Sequence, residues 1–256
     1  LAVIDTIEVE TPYGRPSAPV IIGELCGRRI AFLPRHGKKH TIPPHKVPYK
    51  ANLVALRSVG VRQVIGTCVV GSLRRVINPG DFVILDQFIN LTWGRDDTYE
   101  IDRELIHLPM ARPYCEHIRK IIARELKAMD VVCHIDGTVV VIQGPRFSTI
   151  AESKMFALLG GDVVNMTQYP ECYFARELGL CYGAIASVTD YDVSVPSAIS
   201  MQPESMEQVL AIFRRNTVTT VSLVEKLAGL ALEIAGCNCA ATRLAEYYKL
   251  ADCKNS

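Results

Sequence analysis

The chain has 256 residues, with 28 lysines and arginines against 27 aspartates and glutamates and a formal net charge of +1. This balance, without a basic block, argues against nucleic acid or an anionic membrane as the main partner. Hydrophobic residues make up 49% of the chain, and no apolar run approaches the roughly 20 residues that a membrane span requires. We therefore expect a cytoplasmic protein that forms one domain over residues 1–256 and acts on a small molecule.

Short β-branched runs alternate with runs of helical periodicity along the chain. Strands are predicted at residues 29–33, 63–67, 82–85, 138–142, 162–165 and 181–188. Helices are predicted at residues 51–59, 117–128, 151–159, 171–178 and 204–235. The alternation is typical of an α/β protein whose central mixed, mostly parallel sheet is flanked by helices, with ligands bound beyond the carboxyl ends of strands. Two long irregular stretches, 91–100 and 193–203, are candidate lids.

The strongest candidate site residues lie just beyond two predicted strands. Met166 and Thr167 follow the strand at 162–165, and Asp190 and Asp192 follow the strand at 181–188. A carboxylate can accept hydrogen bonds from a bound base, a hydroxyl can bind an anion, and a methionine can pack against a sugar. Together these residues outline a nucleoside site, although an Asp-Tyr-Asp sequence taken alone is more often a solvated turn.

Arg35 and His36 follow the strand predicted at 29–33 and place a guanidinium beside an imidazole. The guanidinium fork suits two phosphate oxygens, and an ordinary basic surface loop is the alternative interpretation. His36, His40 and His45 could also suggest a metal, but the glycine and prolines among them oppose the helix that would align their side chains.

The nine cysteines are scattered except for the sequence Cys237-Asn-Cys239. They include no Cys-x-x-Cys pair and no cysteine and histidine cluster at the spacing of a zinc site. The sequence therefore implies no metal.

Five short motifs occur in the order used by purine nucleoside phosphorylases: Arg35-His36-Gly37, Gly71-Ser72-Leu73, Asn78-Pro79-Gly80-Asp81, His107-Leu108-Pro109-Met110 and Gly144-Pro145-Arg146-Phe147-Ser148. From about Asp5 to Leu210 the chain resembles this family, and within it the methylthioadenosine phosphorylases most closely. The resemblance implies phosphorolysis of 5'-methylthioadenosine to adenine and 5-methylthioribose-1-phosphate. It also implies phosphate as a co-substrate without any cofactor, and a homotrimer or homohexamer.

The resemblance also implies a role for each candidate residue. Phosphate would be held by Arg35, His36, Thr167, Cys68 and Val69. Base and ribose would be held by Phe147, Ser148, Met166, Gly71, Asp190 and Asp192, with Asp190 as general acid and Asp192 orienting it. The 5'-group pocket would be formed by Met206, Val209, Leu210 and by His107 from a neighbouring subunit. Relatives selective for 6-oxopurines carry glutamate and asparagine where this chain has Ser148 and Asp190, which favours adenine as the base.

The sequence departs from the family in two places. Family members carry threonine or asparagine and then alanine where this chain has Cys68 and Val69, which puts a phosphate contact there in doubt. Their N-terminal strand and Gly-Gly-Ser/Thr-Gly phosphate turn have no counterpart in the sequence, for which we favour truncation as the reason. A broader purine nucleoside or methylthioinosine phosphorylase and a non-catalytic nucleoside-binding homologue therefore remain alternatives.

Some archaeal relatives carry a Cys-x-Cys pair and internal disulfides, so a thermophilic archaeal member is a further possibility. By the same resemblance, the candidates for disulfide bridges are Cys115, Cys172, Cys181, Cys237 and Cys239.

Overall fold

A computed structural model describes residues 2–99, 107–196 and 206–230, together with Cys237 and Cys239. The described chain begins with a three-stranded antiparallel sheet, in which β1 (Ala2–Ile7) pairs with β2 (Val20–Leu25) and β2 pairs with β3 (Arg28–Phe32). Of these strands, only β3 corresponds to a sequence prediction. The loop that leaves β3 carries Arg35 and His36.

Five further strands form a closed barrel in the order β4-β7-β6-β5-β8. They are β4 (Gln63–Ser72), β5 (Phe82–Leu91), β6 (Cys133–Ile142), β7 (Val163–Asn165) and β8 (Cys181–Tyr191). The pairs β4/β8, β5/β6 and β6/β7 are parallel, whereas β4/β7 and β5/β8 are antiparallel. The predicted mixed sheet is thus confirmed, while its closure and the separate antiparallel sheet were not predicted. The closure depends on pairings between strands that are distant in sequence. The antiparallel sheet is local, because its three strands follow one another in the chain and only Cys26 and Gly27 separate β2 from β3.

Helices lie between the strands, as the periodicity predicted. They are α1 (Tyr49–Ser58), α2 (Glu116–Ala128), α3 (Ile150–Leu158), α4 (Gln168–Glu177) and α5 (Met206–Gly229). The last helix ends at Gly229, and the predicted residues 204–205 and 231–235 lie outside the described part of the chain. Among the described helices, none combines the length and the apolar character that crossing a membrane would demand.

Strand β8 lies in the middle of the core, and each of its residues from Cys181 to Asp190 is buried. Helix α2 packs directly on it, because a Cβ atom on Gly183 would lie only 2.3 Å from Cγ2 of Ile118. A side chain at this position would push the helix away from the sheet. Asp190, near the end of β8, is therefore part of the buried core.

All five cysteines named as bridge candidates are free thiols: Cys115, Cys172, Cys181, Cys237 and Cys239. The sulfurs of Cys181 and Cys237 lie 3.3 Å apart, well beyond the roughly 2.05 Å of a disulfide bond. The thiol of Cys172 instead donates to the carbonyl of Pro113 at 3.5 Å. None of the five candidates is therefore joined in a disulfide in the structure.

Candidate active site

A cavity of about 1610 Å³ opens at the ends of the barrel strands and is walled on one side by α5. Its volume exceeds the roughly 300–1,000 Å³ of a typical small-molecule site, so it has room for two ligands side by side. Every site residue predicted from the sequence except His107 lines it. These residues are Arg35, His36, Cys68, Val69, Gly71, Phe147, Ser148, Met166, Thr167, Asp190, Asp192, Met206, Val209 and Leu210.

Asp190 stands where β8 runs parallel to β4, in register with Gly71. It is 6% exposed, and its Oδ1 accepts a hydrogen bond from Thr189 Oγ1 at 2.6 Å. Burial raises the pKa of Asp190 to about 7, with a further contribution from the charge of Asp192 and an opposing one from the Thr189 hydroxyl. A carboxyl group with this pKa is partly protonated at neutral pH and can donate a proton to a ligand.

Gly71 brings the backbone of β4 against this carboxyl group. A Cβ atom on Gly71 would lie 3.4 Å from Asp190 Oδ2 and 3.7 Å from Asp192 Cβ. Glycine at this position therefore lets the backbone of β4 lie close to both Asp190 and Asp192.

Asp192 is held by its backbone, whose N–H donates to the carbonyl of Ser72 at 2.8 Å. Burial raises the pKa of the Asp192 carboxyl group. Its Oδ2 and the Oγ of Ser148 are both buried, and neither makes a hydrogen bond to any atom that the structure describes. Buried polar atoms without partners are rare in native proteins, so these two are candidates for ligand contacts.

Arg35 is bound tightly inside the protein. Its Nε and Nη2 donate to the two carboxylate oxygens of Glu171, the second at 2.6 Å, and its Nη1 donates to the carbonyl of Thr67 at 3.1 Å. Burial lowers the pKa of Arg35, but the charge of Glu171 and the hydrogen bonds to it more than offset this, so that the pKa is raised. These three bonds leave two of the five guanidinium N–H hydrogens for another acceptor.

Glu171 is a site residue that sequence reasoning missed. It lies in α4, is 6% exposed, and its Oε1 also accepts the hydroxyl of Tyr182 at 2.6 Å. A Cβ atom on Gly66 would meet that Tyr182 hydroxyl at 2.1 Å, so a glycine is required for the tyrosine to reach the carboxylate. The one signal in the sequence was a glutamate at the start of the predicted helix 171–178, just after the strand at 162–165, which is weak by itself.

His36 lies beside Arg35 in the turn after β3. Its Nδ1 donates to the carbonyl of Ile42 at 2.8 Å, which fixes the ring orientation and leaves Nε2 for a ligand. Burial, together with the charge of Arg35, lowers the pKa of His36. Within the described residues, the histidines do not take part in any group with metal-ligand geometry.

Two of the expected phosphate residues stand on β4. Cys68 carries a neutral thiol, because burial raises its pKa to about 11. Val69 lines the cavity and is 43% exposed. Thr167 precedes α4, and its hydroxyl makes no capping bond to that helix.

Arg95, which sequence reasoning also missed, ties together two loops of the site. Its guanidinium donates to the carbonyls of Met166 at 3.0 Å, Tyr169 at 2.5 Å and Gln143 at 2.9 Å. The stretch 91–99, part of a candidate lid, is therefore anchored to the site by a half-buried arginine. A Cβ atom on Gly144 would lie 2.4 Å from Met166 Sδ, so glycine is needed for the thioether to lie there.

Apolar side chains of α5 form the remaining wall. Val209 is 5% exposed, whereas Met206 and Leu210 are 37% and 44% exposed and face the cavity together with Phe213. Phe147, on the opposite loop, is 52% exposed. His107 is exposed and does not line the cavity in the part of the chain that the structure describes.

Residues 1–228 match the family model described as the phosphorylase superfamily, and the chain therefore belongs to that superfamily. Two similar proteins are S-methyl-5'-thioadenosine phosphorylases. The one from Thermococcus kodakarensis is 47% identical over 236 residues, which cover 92% of this chain and 90% of the relative. The one from Mycolicibacterium smegmatis is 47% identical over 234 residues, which cover 91% and 87%.

Solved structures agree with this placement. The methylthioadenosine phosphorylase from Schistosoma mansoni in complex with adenine has a TM-score of 0.85 at 34% identity, covering 98% of this chain and 91% of that one. A mutant of the adenosine/methylthioadenosine phosphorylase from the same organism, in complex with methylthioadenosine, has a TM-score of 0.84 at 33% identity, covering 98% and 92%.

Proposed function

We propose that this protein is a pentosyltransferase that converts 5'-methylthioadenosine and phosphate to adenine and 5-methylthioribose-1-phosphate, and that the chain forms one nucleoside phosphorylase domain. One observation carries the proposal: a buried Asp190, with a pKa raised to about 7, lines the same cavity as Arg35 and His36. One cavity therefore contains a proton donor for the leaving base together with positively charged or hydrogen-bond-donating groups for an anion. Relatives named methylthioadenosine phosphorylase, 47% identical over about nine tenths of the chain, support the same activity.

The charges that develop in the reaction explain the need for both groups. As the glycosidic bond breaks, the sugar gains oxocarbenium character and the purine gains electron density. Phosphate placed beneath C1' stabilises the cation and then forms the new bond to that carbon. Asp190 donates its proton to N7 of the leaving adenine and becomes a carboxylate. Phosphate is the co-substrate, and the mechanism requires no cofactor.

Phosphate is held by donors that the fold leaves available. Arg35 keeps two N–H hydrogens that are not bound to Glu171 or Thr67, and His36 keeps Nε2. The Thr167 hydroxyl, which makes no capping bond, supplies a further donor. The half-buried thiol of Cys68 is a poor donor, so it shapes this end of the cavity together with Val69.

The base is read by the buried atoms without partners. Ser148 Oγ and Asp192 Oδ2 gain partners at the purine edge, and a carboxylate there accepts from a 6-amino group but repels a 6-oxo oxygen. Phe147 stacks on the base, and Met166 packs on the ribose.

The apolar wall of α5 selects the 5' group. Met206, Val209 and Leu210 offer no hydrogen bond to a 5'-hydroxyl, so a methylthio group is favoured. His107, exposed and outside this cavity, completes the site of a neighbouring subunit in a homotrimer or homohexamer.

The test is adenine release from 5'-methylthioadenosine by the full-length protein, with and without phosphate, beside adenosine and methylthioinosine. We expect release that depends on phosphate and is faster than release of hypoxanthine from methylthioinosine. Equal release without phosphate would indicate a hydrolase. Tight binding of methylthioadenosine by calorimetry without turnover would indicate a non-catalytic binding protein.

A further inference from the structure

Four cysteine thiols meet in one place outside the nucleoside cavity. The sulfurs of Cys115, Cys181, Cys237 and Cys239 all lie within 4.8 Å of one another. Three of these residues are buried and Cys237 is half-buried. None of the four lines the cavity described above, so the phosphorolysis mechanism does not use them.

The four thiols come from three separate parts of the fold. Cys115 precedes the first turn of α2, and its backbone N–H donates to the carbonyl of Tyr182 at 2.8 Å. Cys181 is the first residue of β8, and Cys237 and Cys239 follow α5. Two ligands are therefore supplied by the rigid core and two by one short segment with a single residue between them.

The geometry is close to that of a tetrahedral thiolate site. A Zn–S bond of about 2.3 Å places the sulfurs of a site with four cysteine ligands roughly 3.8 Å apart. The sulfurs of Cys181 and Cys237 lie 3.3 Å apart, and all separations within the cluster are within 4.8 Å. Shifts of about 1 Å or less would give the ideal distances.

The surroundings suit a buried group of thiolates. The cluster is enclosed by apolar side chains, among them Phe82, Ile118 and Leu223, which exclude water. Cys115 is the N-cap residue of α2, where the backbone N–H groups of the first turn have no partners within the helix. Donors of this kind and the positive end of a helix stabilise the negative charge that four thiolates carry around a divalent ion.

We propose that Cys115, Cys181, Cys237 and Cys239 bind one zinc ion, which fastens Cys237 and Cys239 to α2 and β8. Soft thiolates select zinc over hard cations such as magnesium and calcium. Four protein ligands leave no open position for water or substrate, so the role is structural. Binding exchanges the thiol protons for the ion and needs no oxidant or reductant.

The experiment uses the full chain, purified under reducing conditions and dialysed against buffer without added metal. Elemental analysis is expected to find about one zinc per chain, and X-ray absorption is expected to show sulfur neighbours at about 2.3 Å. In Cys239→Ser the zinc content should fall at least severalfold. The matched control, Cys133→Ser, alters a free cysteine outside the cluster and should keep the full zinc content.

Three outcomes would overturn the proposal. One is a metal-free protein with four reactive thiols at these positions. Another is the finding, by mass spectrometry, that the same cysteines form disulfides after purification without reductant, with zinc absent from both the reduced and the oxidised protein. The third is a zinc content that Cys239→Ser leaves unchanged, which would mark an adventitious ion. If Cys239→Ser fails to fold, the sulfur count from X-ray absorption of the unaltered protein decides.

Discussion

Single residues in this site owe their chemistry to where they are buried. Asp190 and Asp192 are two residues apart on one strand end, and burial is the largest cause of the raised pKa of each. In Arg35 the charged form is favoured instead, because the carboxylate of Glu171 raises the pKa of the guanidinium despite its burial. The reactivity of these groups therefore depends on the surrounding core as much as on residue type.

The replacement Asp190→Asn removes the proposed acid. We expect turnover of 5'-methylthioadenosine to fall about 10²- to 10⁴-fold, with a much smaller loss for methylthioinosine, since an amide can donate to N7 and to the 6-oxo oxygen. In the unaltered enzyme the acid form is lost as pH rises through about 7, so kcat/KM should decline above that pH, and the variant should lack this decline.

Steady-state kinetics with both nucleosides between pH 5 and 9 would check this expectation. Asp130→Asn, at an exposed turn after α2, is the matched control and should leave both profiles unchanged. If Asp190→Asn retained full activity with methylthioadenosine, the assignment of the acid would be incorrect.

Replacement of Arg35 separates its structural role from its binding role. Arg35→Met leaves the buried Glu171 without its cation, which should destabilise the fold by about 3–5 kcal/mol and raise the KM for phosphate roughly tenfold or more. The double variant Arg35→Met with Glu171→Gln removes the buried charge. It should regain much of the stability while keeping the raised KM.

Denaturant unfolding and phosphate titrations on the two variants supply the measurement. A double variant whose KM for phosphate returned to the unaltered value would mean that Arg35 acts only by stabilising the fold.

At the scale of elements, the site depends on connections between loops that belong to different strands. Arg95 joins the loop after β6 to the segment after β7 through the carbonyls of Gln143, Met166 and Tyr169. One side chain therefore sets the relative position of both segments. A planar guanidinium with five donors can bind several carbonyls at once, whereas an ammonium group cannot match that geometry.

Arg95→Lys should therefore displace Met166 from the ribose and lower kcat/KM for methylthioadenosine about tenfold, a loss of ~1.4 kcal/mol in transition-state binding. The KM for phosphate should rise less than kcat/KM for the nucleoside falls, because Arg35 and His36 stand on another loop and only Thr167 adjoins the displaced Met166. Arg15→Lys, at an arginine whose side chain is 81% exposed, is the control. Equal effects on both substrates would point to a general loss of structure instead.

At the scale of the whole molecule, the proposed oligomer connects His107 of one subunit to the cavity of another. This arrangement predicts complementation between two weak variants, His107→Ala and Asp190→Asn. In a mixed oligomer, some sites would combine an intact Asp190 with an intact His107 from the neighbour.

Activity toward methylthioadenosine should thus rise when the two variants are unfolded and refolded together, relative to the mean of the two refolded separately. A mixture of Asp190→Asn with Arg35→Met is the control, because both residues belong to one subunit's cavity and each subunit then keeps one defect. Light scattering would give the oligomeric state of each mixture. A purely monomeric protein, or no gain in activity from the first pair, would contradict a shared site.

Much of the site was predictable from local sequence. Strand and helix positions follow from hydrophobic periodicity, and the residues after predicted strands were recognised as Met166, Thr167, Asp190 and Asp192. All four line the cavity. Because β7 runs antiparallel to β4 and β8 runs parallel to it, the rule for parallel strands does not account for this result. The two strand ends meet because the last residues of β4, Gly71 and Ser72, pair with both β7 and β8.

The tertiary structure alone decided the pairings between distant residues. The closed barrel brings β4 beside β8, the buried Glu171 against Arg35, and two loops against Arg95. It also gathers four cysteines from three segments into one cluster, although their spacing along the chain lacks the pattern of a zinc site. Local periodicity is encoded by neighbours in sequence, whereas burial, pKa and clustering depend on which distant segments pack together.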